Sequence, residues 1–228
     1  VHKAPTIINP SPQRKEFDMN TVAQSVEFVT VKSKSKNNGI HVAKDAPGDI
    51  RNIYTVIAQA TDEERTAGML WYFHANMDAT TLAAEFDMPL WVVCQVLSVI
   101  SPQRRWEVNV RDCRKVIMAH RLPVEQRIPS LKGTAAPSGW QAFERAWEIL
   151  DGTREMIRKG APKTYDFAMT IMHPDTYMEP VIDSHAGALW TDGYHMTPGC
   201  YAYSLGLYTK IANDYKTVAA SMGIMPHQ

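Results

Sequence analysis

Twelve residues from Pro89 to Ile100 (P-L-W-V-V-C-Q-V-L-S-V-I) leave little freedom to whatever folds around them. Only Gln95 and Ser98 interrupt the apolar character of the run. Pro89 suits the first turn of a helix. A helix that is hydrophobic all round is buried, either in a protein core or in a bilayer. Spanning a bilayer takes about 20 apolar residues, so this run predicts the central helix of a folded body.

The flanking sequence keeps the helical period. Ile53, Val56, Ile57 and Ala60 fall on one face, and Thr61 and Glu64 have capping-box spacing before Met69, Leu70 and Tyr72. A third helix is expected over 79–87. After Ser101-Pro102, Trp106, Val110, Cys113 and Ile117 recur at helical spacing. A Pro/Gly/Ser-rich connection follows from Leu122 to Gly139. Trp140, Phe143, Trp147 and Leu150 mark a further helix, and Ala202 to Met222 a last one. Residues 1–50 read as an irregular extension in which V-E-F-V-T-V-K predicts one short strand. The expected fold is mainly α, about ten helices in a two-lobed bundle over 51–228 with a cleft between the lobes, and no βαβ alternation.

Bulk composition narrows the function classes. With 45% hydrophobic and 21% charged residues, and no apolar leader at its start, the 228-residue chain is expected to be cytoplasmic. Cys94, Cys113 and Cys200 stand far apart, against both a disulfide framework and a four-cysteine metal site. No His/Asp/Glu cluster has metal-ligand spacing, and no cofactor or metal is expected. Net charge is zero, yet residues 101–121 hold six basic side chains against two acidic, and residues 1–40 six against three. Such stripes hold phosphates even on a neutral protein.

The stretch from Ile157 onward carries the chemistry. I-R-K-G-A-P-K-T places Gly160, Ala161 and Pro162 as breakers between one helix and the next, with Lys163-Thr164 opening the second. Small residues there let a phosphate backbone approach the open N–H groups of a helix start. Twenty residues beyond Lys163, V-I-D-S-H delivers Asp183, which by itself reads as a helix N-cap. Upstream, V-I-S-P-Q-R-R-W-E-V-N-V (99–110) supplies Gln103 and a group of arginines.

In that order and spacing, the three segments resemble the helix-hairpin-helix DNA glycosylases, the superfamily that includes endonuclease III. Its hairpin usually reads L-P-G-V-G-x-K-T and is followed by V-D-T-H. The resemblance covers roughly residues 90–200. It implies that Asp183 is the catalytic aspartate, facing the cationic sugar as the N-glycosidic bond breaks. It places Lys163 where bifunctional members carry the lysine that attacks C1′, a role that partial burial at a helix start would favour. Gln103 would fill the gap left by an extruded base. Gly160, Ala161 and Thr164 would grip a phosphate, and Arg104, Arg105 and Arg111 would form a rail along double-stranded DNA. Trp106, His185, Trp190 and Tyr194 are the candidates for lining a base pocket, with His185 better suited to bracing Asp183. G-A-P replaces the usual G-x-G, and the four-cysteine cluster of many relatives is missing.

The implied protein is a monomeric, nucleoid-associated DNA glycosylase, with or without lyase activity. Two alternatives stay open: a glycosylase-like enzyme of phage base hypermodification, and a helix-turn-helix regulator using residues 78–97. The second of these needs the apolar run at 89–100 to face a DNA groove, for which its composition is wrong.

Overall fold

Thr61 and Glu64 close a reciprocal capping box. The Glu64 N–H donates to the Thr61 hydroxyl (3.1 Å), and the Thr61 N–H donates to the Glu64 carboxylate (2.9 Å). They start α2 (Asp62–Phe86), which runs unbroken through the expected third helix at 79–87. No glycine or proline lies between Met69 and Phe86 to stop it. Asp87, in the left-handed region at φ 53°, ends it just ahead of Pro89.

The structure, a computed structural model, describes residues 27–31, 40–46, 48–132, 134, 140–156, 158–191 and 201–228. It is mainly helical. Two strands, β1 (Glu27–Val31) and β2 (Ile40–Asp45), precede α1 (Ile50–Gln59) and α2; α3 (Leu90–Ile100), α4 (Trp106–His120), α5 (Val124–Ser130), α6 (Gln141–Leu150), α7 (Pro162–Met172) and α8 (Ser184–Trp190) follow. Strand β3 (Tyr201–Tyr203) and α9 (Leu205–Met222) come last, making nine helices among the described residues.

Strand β1 lies on the segment predicted. Strands β2 and β3 were not expected: β2 pairs antiparallel with β1 and parallel with β3, His41 opposite Tyr201. The final helix therefore starts at Leu205, capped by the Ser204 hydroxyl, rather than at Ala202. The connection after Leu122 contains α5, entered through Pro123.

Buried side chains form two clusters. The larger joins the second half of α2 with α3, α4, α6 and α7, and Val93, Val96, Leu97 and Ile100 of α3 sit at its centre. Seven of the eleven α3 residues are buried, so the apolar run serves as core rather than as a helix for a DNA groove. The smaller cluster gathers Ile53 of α1, Ile182, Trp190 of α8, and Leu207, Tyr208 and Ile211 of α9. Gly48 is required where it stands, because a Cβ there would lie 2.1 Å from the Trp190 ring.

The helix expected before Gly160 is not there. α6 ends at Leu150, and residues 151–161 reach α7 without another helix among the described residues. Gly152, at φ 69°, helps turn the chain away from α6.

Candidate functional site

A short extended segment, Pro180 to Ile182, brings Asp183 to the start of α8. Ile182 is fully buried and fixes the segment against α9. Asp183 then caps the helix: its Oδ1 accepts from the N–H groups of His185 and Ala186, both at 2.9 Å. Its Oδ2 has no hydrogen-bond partner among the described residues. The carboxylate is thus half-buried, held through one oxygen and open at the other.

Three phenols surround this position. Tyr203 donates to the Asp183 carbonyl (3.2 Å), and Tyr215 donates to the Ala186 carbonyl (2.9 Å). Burial raises the pKa of both and of Tyr72 on α2, and the negative charge of Asp183 adds to the rise in each case. All three stay neutral and keep their donors. Gly187 makes the close approach of Tyr203 feasible, since a Cβ there would fall 1.7 Å from the Tyr203 hydroxyl.

Lys163 stands on the first turn of α7, exposed to solvent. The partial burial expected for it is not found. No side chain caps α7, so its first N–H groups remain open, as a phosphate site requires. Ala161 is the N-cap residue, Gly160 is exposed beside it, and the Thr164 carbonyl accepts the Ser98 hydroxyl of α3.

The two segments are tied together by Asp166, one turn along α7 from Lys163 and fully buried. Its Oδ1 accepts from Arg158 (2.7 Å) and Tyr177 (2.6 Å), and its Oδ2 from the Tyr208 hydroxyl of α9 (2.8 Å). The same Tyr208 oxygen lies 3.2 Å from the Pro180 carbonyl and accepts the Ile182 N–H at 3.3 Å. Arg158 also reaches Glu179 (3.0 Å), which Lys216 holds from the other side at 3.1 Å. One network therefore locks the helix that carries Lys163 to the segment that carries Asp183. Sequence reading missed it. The available signal was an aspartate within the apolar period T-Y-D-F-A-M, where a charge demands partners.

The arginine rail is only partly present. Arg104 is buried, its side chain 4% exposed and ion-paired with the buried Asp112, and so faces the core instead of DNA. Arg114 is held in a fork by Glu85. Arg105 and Arg111 are exposed, although Arg111 lies 3.3 Å from Asp112. Gln103, between Ser101 and α4, is exposed and adopts φ 58°, a backbone state that bulky residues rarely take without cause.

Of the pocket candidates, Trp190 is fully buried and donates its indole N–H to Asp214 (2.7 Å), so it cannot stack on a base. Trp106 donates to Asp78 (2.7 Å) and packs edge-on against Trp71. It braces α2 against α4. His185 is exposed, its backbone N–H bonded to Asp183. Tyr194 lies outside the described residues. Among the described residues no three His, Cys, Asp or Glu side chains converge as a metal site.

Residues 40–228 match a family of unknown function, DUF7178. The chain belongs to DUF7178. The match begins at the first residue of β2 and takes in every helix among the described residues, Asp183 and the Asp166 network. No curated protein and no solved structure matches the chain. For this DUF7178 member the arrangement at Asp183 therefore has to be read from its own chemistry. A carboxylate with one free oxygen, half-buried among neutral phenols, is equipped to face a positive charge.

Proposed function

We propose that this protein is a DNA glycosylase that everts a damaged or modified base and cleaves its N-glycosidic bond. The observation that carries the reading is the half-anchored carboxylate of Asp183. Capping fixes its position, and its free Oδ2 faces the sugar as C1′ loses the base and becomes cationic. In a partly desolvated setting that charge pairing is worth several kcal/mol of barrier. The open amides of α7 with Lys163, together with Arg105 and Arg111, grip phosphates. Gln103 enters the stack at the vacated base. Extruding the base costs a few kcal/mol, least at a damaged pair.

Exposure of Lys163 favours a phosphate contact over covalent attack, so the enzyme is read as monofunctional. The test is incubation with duplexes carrying damaged or modified bases, in parallel with borohydride and with alkali. The expected outcome is strand scission only after alkali and no trapped protein–DNA adduct. A borohydride-dependent adduct lost in Lys163→Ala would restore the lysine to the chemistry. No scission on any duplex counts against the whole reading, and an altered base retained on its sugar assigns the protein to base modification.

A further inference from the structure

Gln95 is one of two polar interruptions in the apolar helix α3, and its side-chain oxygen is buried without a hydrogen-bond partner. Buried acceptors left empty cost roughly 1–3 kcal/mol, so an empty one beside a cavity invites a donor. Such a cavity is present. A cleft of about 210 Å3 opens between α3, α7 and the connection before α7, and Gln95 lines it.

The rest of the lining describes the missing guest. Trp91, half-exposed, and Tyr165 supply flat aromatic surface, while Met169 and Met172 supply polarisable and adaptable walls. Glu155 brings an exposed carboxylate with no ion-pair partner among the described residues. Cys94 also borders the cleft, but burial pushes its pKa up to about 12, so it is a neutral thiol wall. Flat walls select a planar ring, and two unpaired acceptors select a ring that donates. The volume equals about seven waters' share of the liquid, the scale of one heterocycle and not of a nucleotide.

We propose that the cleft between α3 and α7 binds a planar, amino-bearing aromatic heterocycle of nucleobase size. The exocyclic amino group donates to Gln95 Oε1 and toward Glu155, and the ring lies between the methionines and the two aromatic side chains. The site does not rest on the glycosylase reading. Residues 165, 168, 169 and 172 share one face of α7, whereas Lys163 lies about half a turn around it at about 100° per residue.

The test is calorimetric titration of the full chain with cytosine and adenine against uracil and hypoxanthine, whose oxo groups replace the amino group. Saturable binding of the amino-bearing bases, about tenfold tighter than their oxo counterparts, is expected from one hydrogen bond made or left unmade. Gln95→Met, similar in size and a good helix former, should abolish that preference. Methyl NMR of Met169 and Met172 in the unaltered chain gives a second reading: both resonances shift on adding cytosine or adenine. Absent saturation, equal affinity for oxo bases, or a preference that survives Gln95→Met overturns the proposal. Asp183→Asn should leave the titration unchanged, which separates failure here from failure of the excision chemistry.

Discussion

The body around α3 and the unit around α9 both exclude water, but they use their polar atoms differently. Around α3, aliphatic side chains interlock at the helical period, and Val93, Val96, Leu97 and Phe143 need no partner beyond shape. Around α9, the large side chains are amphipathic: Tyr208, Tyr203, Tyr215 and Trp190 each bury a ring and spend a donor on a distant segment. The first arrangement resists deformation because every void costs energy. The second fixes the positions of particular loops, because a hydroxyl 2.8 Å from its acceptor tolerates little sliding. It is the second kind that holds Asp183 and Lys163 in one frame.

Truncating one fully buried side chain in each region should break the comparison most visibly. Trp190→Ala is expected to cost about 3–5 kcal/mol and Leu97→Ala about 2–5 kcal/mol in denaturant unfolding. Hydrogen exchange should then show α8 and α9 opening early in the first variant, and global opening in the second. Tyr208→Phe keeps the ring but strips the shared hydroxyl, and should cost about 1–3 kcal/mol, a loss that an equally apolar swap at Leu97 to Met should not match. Gly187→Ala should move or expel the Tyr203 hydroxyl, readable as a changed Tyr203 resonance and as weaker DNA binding at unchanged overall helix content.

pH provides a gentler probe. Burial lowers the pKa of His227 from 6.5, against a weaker upward pull from the Pro174 carbonyl. The unfolded chain therefore takes this proton first as pH falls. Its stabilising share is complete above pH 6.5 and drains away below, and His227→Gln should flatten that part of a midpoint-against-pH curve. At more acid pH, Asp49 follows the same sign. The Arg51 side chain and N–H hold its pKa down to about 2, so its cap on α1 persists until pH falls through the ordinary carboxylate range toward that value. Only local fraying of α1 is expected there, visible as small amide shifts.

The contrast between the two regions also explains what could be read in advance. Thr61 and Glu64 announce their helix because both partners lie within one turn, and α3 announces its burial because ten of the twelve residues of its run are apolar. Asp183 as an N-cap was legible for the same local reason. The join of β2 to β3 was not, since His41 and Tyr201 meet only after the whole helical body has folded between them. Nor was Arg104, whose partner Asp112 is two turns away on a helix that could equally have turned outward. Asp166 passed as one more helix residue because Arg158, Tyr177 and Tyr208 come from three separate segments. Residues 157–164 looked like a hairpin from Gly160, Ala161 and Pro162 alone, and the missing helix before Gly160 follows from the early end of α6 at Leu150.

The most direct measurement is chromatographic quantification of free base released from duplexes carrying damaged or modified bases, comparing the natural chain with Asp183→Asn. Asparagine caps a helix about as well as aspartate, so α8 should survive and the variant should melt within a few degrees of the parent. The account predicts released base from the parent and a loss of about a hundredfold or more in the variant, the scale of removing one transition-state charge partner. Equal release from both proteins, or release from neither on any duplex, would contradict it.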